Sequence, residues 1–385
     1  MARSSDSKFT DWFYEIDRNL LWCVLGLTAL GVLAMITAGS SEASRKGLVW
    51  YFYFWKAVPF YFAGMFTFIV ASFLNKKWIL NISWFNVAVC FLLLLVTLKW
   101  PDPVLLAEKH AARWVRLPIL GSVMPSDLMK PGSIMITAWF LSYLKDTVGG
   151  DIFTSKAAWR WDRWPLYLAF FAAATGIIFQ HPDVGTFLLY FAVFVAMIFI
   201  AGLPIWILPA LFVTAGAIFA FAFFTMTHIH SRVLAMLGHG AQTAGPTQTD
   251  FAKQSIQHGG LLGSGDDSFV KQSLPDSHTD FVFAAIVEDY GAIIGAILIL
   301  VFLYVLRRLA LDANRARDKF VFYAICGTFA LFGTQVSINL LSTLNLFAPK
   351  GMTLPFISYG GSSFIAFCLL FGMVIALVRE DKWKN

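Results

Sequence analysis

Asp127 and Lys130 in MPSDLMKPG, and Asp280, Glu288 and Asp289 in LPDSHTDFVFAAIVEDYG, stand at the edges of long apolar runs or inside them. A carboxylate within hydrogen-bond reach of a hydroxyl can act as a general base. It can also hold a hard divalent cation together with phosphate oxygens. A cation aimed at a departing anionic group stabilises the charge that develops there. Asp127 and Lys130 lie three apart, so on a helix they face the same way and can pair. The competing reading is a structural ion pair. Asp280 sits where a polar segment turns apolar, and it is read as a base, as a metal ligand, or as an N-cap. In the last case Thr279 or Asp280 accepts from the first free N–H groups of the next helix. Glu288 and Asp289 lie about two turns deeper. Adjacent residues cannot share a helix face, so one faces a polar interior and the other needs its own partner.

Other segments carry weaker signals. ARWVRL contributes Arg113 and Arg116. APKGMTLPFISYGGSS contributes Lys350, a proline at Pro355, glycines that allow close backbone approach, and the hydroxyls of Ser358 and Ser362. It is read as a cavity wall or as a turn with a helix cap. Gln335 and Asn339, four apart, put two amides on one helix face, where interhelical bonding is the simpler role. Asp183 in HPDVGTF is placed to cap the helix that follows it. His278 is a base, a ligand or a solvated loop residue. Pro125 suits a helix start, Ser126 can cap it, and Pro131 should kink that helix. Together Asp127, Lys130, Asp280 and Lys350, with Arg113 and Arg116 nearby, describe a mixed-charge cavity open to the outside. It suits an anionic substrate at the outer leaflet, and equally a transport path.

The elements that must position these groups are membrane helices. The chain is 58% hydrophobic and only 14% charged, where a soluble domain carries about 25% charge. Apolar runs of span length recur. About ten spans are expected, at Asn19–Ala38, Val49–Phe73, Trp78–Leu98, Ser126–Leu144, Pro165–Phe179, Val184–Ala201, Pro204–Met226, Phe281–Leu306, Phe320–Leu346 and Ser363–Val378. The fold class is therefore an all-α polytopic membrane protein of one transmembrane domain, residues 1–385. With the N-terminus inside, the inner segments hold roughly 17 of the 29 Lys and Arg, as the positive-inside rule requires. Both termini are then cytoplasmic, with an N-terminal segment at 1–18 and a tail at 379–385. Residues 227–280 form a large extracytoplasmic loop. The net charge of +6 reports orientation, and no nucleic-acid partner is expected. Cys23, Cys90, Cys326 and Cys368 all fall in apolar runs and read as fillers, with neither a disulfide framework nor metal-ligand spacing. The first apolar run is long enough to stay in the bilayer, so no cleavable signal peptide is expected.

These segments resemble the RodA/FtsW family, also called the SEDS family, of bacterial peptidoglycan glycosyltransferases, in order over nearly the whole chain. ARWVRL with PSDLMK is similar to the family's ARRWI and QPSE..K, HPDVGT to its QPDLGT, and QSIQHGGLLGSG to its QSL.AIGSGGL.G.G. HTDF and PFISYGGSS match it most specifically. LPDSHTDFVFA and PSDLMKP are more similar to the cell-division branch than to the elongation branch. Three departures stand out: Asp127 replaces the glutamate of PSE, Glu288–Asp289 replaces a glutamate pair, and His258 replaces a small residue before the glycines.

The resemblance implies a SEDS-type glycosyltransferase that polymerises lipid II, the undecaprenyl-diphosphate-linked disaccharide pentapeptide, into glycan strands. It forms a β-1,4 bond and releases undecaprenyl diphosphate. It implies Asp280 as the essential acid, as base or as ligand of a divalent cation such as Mg2+ or Mn2+, with no organic cofactor. Lys130, Lys350, Arg113 and Arg116 are candidates to stabilise the diphosphate, with Asp127, Glu288, Ser358 and Ser362 supporting. Implied partners are a class B penicillin-binding transpeptidase, other divisome proteins, and undecaprenyl lipids, at the septum of the inner membrane. The alternatives are an elongation-type polymerase, a lipid II flippase that uses the charged cavity as a path, and a scaffold that only docks partners. A transporter more often places its site near the midplane, and a scaffold needs no acids in its spans.

Overall fold

A computed structural model describes residues 8–109, 113–117, 121–148, 164–181, 183–205, 208–225, 247–265, 270–347 and 351–382. Each expected span has a helix. In chain order these are α1 (Lys8–Glu15), α2 (Arg18–Arg45), α3 (Phe52–Ser72), α4 (Lys76–Lys99), α5 (Pro103–Lys109), α6 (Pro125–Val148), α7 (Trp164–Gln180), α8 (Val184–Ile200) and α9 (Leu208–Thr225). Then come α10 (Gln248–Gly259), α11 (Val270–Ser273), α12 (Val282–Arg315), α13 (Lys319–Thr343) and α14 (Gly361–Lys382). Two strands, β1 (Val115–Leu117) and β2 (Gly121–Val123), pair antiparallel, with Arg116 opposite Ser122. By length and composition α2, α3, α4, α12, α13 and α14 can each cross a membrane. The chain is a multi-pass membrane protein.

Short polar residues end the apolar runs and cap the helices. Asp17 accepts from the amides of Asn19 and Leu20 at the start of α2. Asn75 does the same for α4, Asp183 for α8 and Asp318 for α13. At the inner face, Arg308 of α12 ion-pairs with Asp17 at 2.6 Å, and Lys76 with Asp318 at 2.6 Å. These contacts lock the inner ends of four helices in register.

The centre of the bundle is α14. Its apolar window is 83% buried, against 28% for α3, α4 and α12, which leave much of their surface to lipid. α14 packs chiefly on α3, and α13 bridges α12, α6 and α8. The core between them is aromatic: Phe332 of α13 meets Phe371 of α14 edge-on at 5.3 Å, and Phe356 meets the same ring at 5.3 Å. Phe356 belongs to the PFISYGG segment, which enters the protein as an irregular stretch with φ +65° at Phe356. Gly31 of α2 allows that entry, since a Cβ there would lie 2.2 Å from the Phe356 carbonyl oxygen. Irregular backbone at membrane depth is tolerated where protein covers it in this way.

Several expectations are corrected. The fourth span starts at Pro125 as its first helical residue, so Ser126 lies inside the helix and does not cap it. The helix runs on through Pro131 to Val148. The N-cap of α12 is Phe281, without a side-chain capping bond, so neither Thr279 nor Asp280 is the cap. α12 extends to Arg315, making most of the expected inner loop after Arg307 helical. The outer loop is partly folded: α10 has a capping box between Thr247 and Asp250. The hydroxyl and amide of Thr247 hold the exposed Asp250 carboxyl below its usual range.

α12 breaks at Gly291, which has φ +86° and ψ 166°, a region essentially reserved for glycine. A Cβ there would also lie 2.2 Å from the Leu261 carbonyl oxygen. Gly291→Ala is therefore expected to lower stability by roughly 3 kcal/mol or more. Denaturation of the chain in detergent micelles measures this; an unchanged midpoint would contradict the packing described for this break.

Candidate functional site

Asp280 lies in the turn just before α12, half-buried. The main chain of this turn is held at three successive residues. The Tyr359 amide donates to the His278 carbonyl at 2.8 Å. The Ser358 hydroxyl donates to the Thr279 carbonyl. The Asn339 side-chain amide donates to the Asp280 carbonyl at 2.8 Å, and also to that of Met352 at 2.7 Å. A Cβ built at Gly351 would lie 3.6 Å from Asp280 Oδ2, so the stretch that leads into PFISYGG runs directly past the carboxylate. Lys350, which precedes Gly351 in sequence, lies outside the described residues. The amides of α13 thus do act as glue, but toward main-chain groups of the site as well as other helices.

Asp127 and Lys130 pair at 2.7 Å, with side chains 12% and 4% exposed. Lys130 also donates to Gln335 Oε1 at 2.9 Å, and Ser362 donates to Asp127 Oδ2 at 3.2 Å. Gln335 donates in turn to the Thr353 carbonyl at 2.9 Å. One polar chain therefore runs from Asp127 through Lys130 and Gln335 to Thr353, two residues beyond Gly351, which lies beside Asp280. The pair is a buried strut tied to the site. Behind it, Lys130, Ser133, Thr137, Tyr190 and Phe194 line a cavity of about 30 Å³.

The two arginines are engaged elsewhere. Arg113 ion-pairs with Asp183 at 2.9 Å, and Arg116 with Asp102 at 3.8 Å. Asp183 also caps α8 by accepting from the Thr186 amide. Among the described contacts neither arginine meets Asp127, Lys130 or Asp280. Arg113 thus fastens the chain just before β1 to the start of α8, and Arg116 joins the hairpin to the residue before α5.

Glu288 is fully buried. Its carboxylate accepts from the Val270 and Lys271 amides, both at 2.8 Å, and meets His258 Nδ1 at 3.3 Å. Asp289 ion-pairs with Lys271 Nζ. The adjacent acids thus take separate partners, and both tie the outer loop to α12. His258, the departure from the family's small residue, finds its partner in this fastening.

A cluster missed in the sequence lies at the outer end of α2. Glu42, its side chain wholly buried, ion-pairs with Arg45 at 2.7 Å and Lys46 at 2.9 Å. Lys46 reaches the Tyr53 hydroxyl at 3.0 Å, and the Tyr53 ring lies 4.4 Å from that of His278. The i, i+3 and i, i+4 spacing of Glu42, Arg45 and Lys46 was a legible signal for it.

Among the described residues no group of three or more His, Cys, Asp or Glu is placed to hold a metal ion. A hard cation at Asp280 would take one protein carboxylate and draw further ligands from substrate phosphates and water, a pattern Mg2+ accepts.

Residues 18–383 match the family model described as Cell cycle protein, which covers FtsW, RodA and SpoVE. The chain is 31% identical over 381 residues to the "Probable peptidoglycan glycosyltransferase FtsW" of Caulobacter vibrioides, covering 98% of this chain and 93% of that one. It is 29% identical over 378 residues to the like-named protein of Thiomicrospira cyclica, covering 95% and 92%. In fold it is similar to a chain of a peptidoglycan synthase complex that coordinates polymerization and crosslinking, with TM-score 0.74, 23% identity and coverage of 96% and 99%. It is also similar to the rod shape determining protein RodA of Thermus thermophilus, with TM-score 0.65, 23% identity and coverage of 96% and 98%. The chain belongs to the FtsW/RodA/SpoVE family of cell cycle proteins.

Proposed function

We propose that this chain is a peptidoglycan glycosyltransferase that polymerises lipid II into glycan strands at the division septum, with Asp280 as its general base. The observation that carries the reading is an acid at the end of a membrane-length helix, in a turn fixed at three consecutive carbonyls. A lipid-anchored sugar meets water at that height. An acceptor hydroxyl oxygen attacks the anomeric carbon of the donor sugar, and the carbon–oxygen bond to the diphosphate breaks. The electron pair stays on undecaprenyl diphosphate, and the hydroxyl proton passes to Asp280. Such a base contributes about 10²–10⁴-fold. Fixing the turn beforehand means that little reorganisation is needed when charge moves.

The departing diphosphate needs positive charge, and Lys130 and Lys350 are the family-matched candidates. Lys130 acts through the Asp127–Lys130–Gln335 chain that braces Thr353, in the stretch between Gly351 and PFISYGG. A Mg2+ or Mn2+, when bound, would neutralise diphosphate charge, held by Asp280 and phosphate oxygens. A class B penicillin-binding transpeptidase is the proposed partner, with other divisome proteins around it, in the cytoplasmic membrane. The test supplies purified chain and transpeptidase with lipid II in detergent. The reading expects a ladder of glycan strands that a muramidase digests. Scrambling of lipid II across liposomes without any glycan product would replace it with the flippase reading.

A further inference from the structure

We propose that the Gly260–Gly263 turn is a re-entrant anchor. It inserts Leu261 and Leu262 among the acyl chains of the outer leaflet and sets the height of the Asp280 turn. The segment belongs to the connection between α9 and α12, which the sequence reads as a loop outside the membrane. Its position along α12 is fixed by hydrogen bonds. The Ala292 amide donates to the Gly260 carbonyl at 2.9 Å and the Ile293 amide to that of Leu261 at 3.3 Å. The Ser264 amide and hydroxyl both donate to the Glu288 carbonyl, each at 2.8 Å. The turn is therefore level with residues 288–293.

That level lies inside the membrane. Arg307 is the first basic residue at the inner end of α12. The hydrocarbon core spans about 20 helical residues, so counting outward from Arg307 it ends near Val287. The lipid-facing strip of α12 agrees: Val282 to Glu288 are all buried, and exposure begins at Tyr290, then Ile293, Ile294 and Ile297. Leu261 and Leu262, 72% and 82% exposed, lie against this strip and extend it sideways.

The backbone chemistry fits the same place. Non-helical backbone in lipid must satisfy its polar groups internally. The break at Gly291 frees amides of α12, and the turn's carbonyls accept two of them. The close approach depends on glycine on both sides, since a Cβ at Gly263 would lie 2.3 Å from the Asp289 carbonyl oxygen. What the turn leaves outward is two leucine side chains. The same stretch of α12 holds the segment that leads to Asp280: Glu288 accepts from the Val270 and Lys271 amides, and Asp289 pairs with the Lys271 side chain. Anchor and active-site turn thus hang from one short stretch of α12.

The activity arm of the test rests on the proposed glycosyltransferase; the depth arm does not. A fluorophore is placed at Leu262→Cys in a Cys23→Ala background, the other three cysteines being buried. A second label at Thr247→Cys, at the exposed start of α10, serves as reference. In liposomes, brominated acyl chains should quench the Leu262 label several-fold more than the reference, and aqueous iodide several-fold less. Equal iodide quenching at the two sites would overturn the proposal. So would loss of bromolipid quenching on adding the transpeptidase, which would make the leucines a partner contact. The pair Leu261→Asn and Leu262→Asn should raise protease cleavage of residues 247–280 and lower glycan synthesis several-fold, while Leu261→Phe and Leu262→Phe should do neither. An asparagine pair with unchanged cleavage and synthesis would overturn it. Correct quenching in a chain that makes no glycan would sink the glycosyltransferase reading and leave the anchor standing.

Discussion

Asp280→Asn will reduce lipid II polymerisation by about 10²–10⁴-fold, the range for loss of a general base, while the chain keeps its thermal midpoint in detergent within a few degrees. The main-chain bonds that hold the turn survive the change. Asn339, Ser358 and Tyr359 bind the carbonyls of residues 278–280, not the carboxylate. The cap of α12 is Phe281, so no capping bond is lost either. Asparagine keeps the shape of the side chain, removes its charge and basicity, and turns one acceptor oxygen into an N–H donor. Wild-type polymerisation in this variant would remove Asp280 from the chemistry. A collapsed midpoint would instead make it structural, and the two readouts separate these outcomes.

Lys130→Met is expected to destabilise the chain by about 3–5 kcal/mol, because it strands the buried Asp127 carboxylate. Asp127 is 8% exposed, and after the change the Ser362 hydroxyl at 3.2 Å remains as a neutral partner. Gln335 Oε1 loses its donor as well. Because most of the cost is the uncompensated charge, adding Asp127→Asn should recover part of it. The double variant should be more stable than Lys130→Met alone. Denaturation of the four species in micelles gives the coupling directly. Single changes within about 0.5 kcal/mol of wild type, the range of neutral surface substitutions, would show that the pair braces nothing. A braced pair should also lower polymerisation when broken, since its chain of bonds ends on the segment beside Asp280.

The ten spans were legible as apolar runs near bilayer length, most of them bounded by polar or charged residues or by proline. Asp127 with Lys130 was legible from spacing alone, and Asp183 as a cap from its place before an apolar run. The placement of Arg113 was not. Its partner Asp183 is distant in sequence, and no local pattern says that a hairpin brings them together. Glu288 and Asp289 were read correctly as taking separate partners, but the partners themselves were hidden for a related reason. An acid inside a span suggests a polar cavity, yet here it is covered by a loop segment that returns along the helix. The signal for that return was present in GGLLGSG and in Gly291, but only the fold shows that these glycines face one another. Gln335 and Asn339 were read correctly as hydrogen-bonding amides, while their targets, Lys130 and the carbonyls of Asp280, Met352 and Thr353, depend on tertiary packing.

The central claim is that sugar transfer takes place at the Asp280 turn. The most direct measurement follows lipid II with the purified chain and its transpeptidase in liposomes, scoring glycan and free undecaprenyl diphosphate together, for wild type and Asp280→Asn. The account predicts one undecaprenyl diphosphate released for each glycosidic bond in the wild type, and both products lowered together by about 10²–10⁴-fold in the variant. Glycan formed at equal rates by both would contradict it.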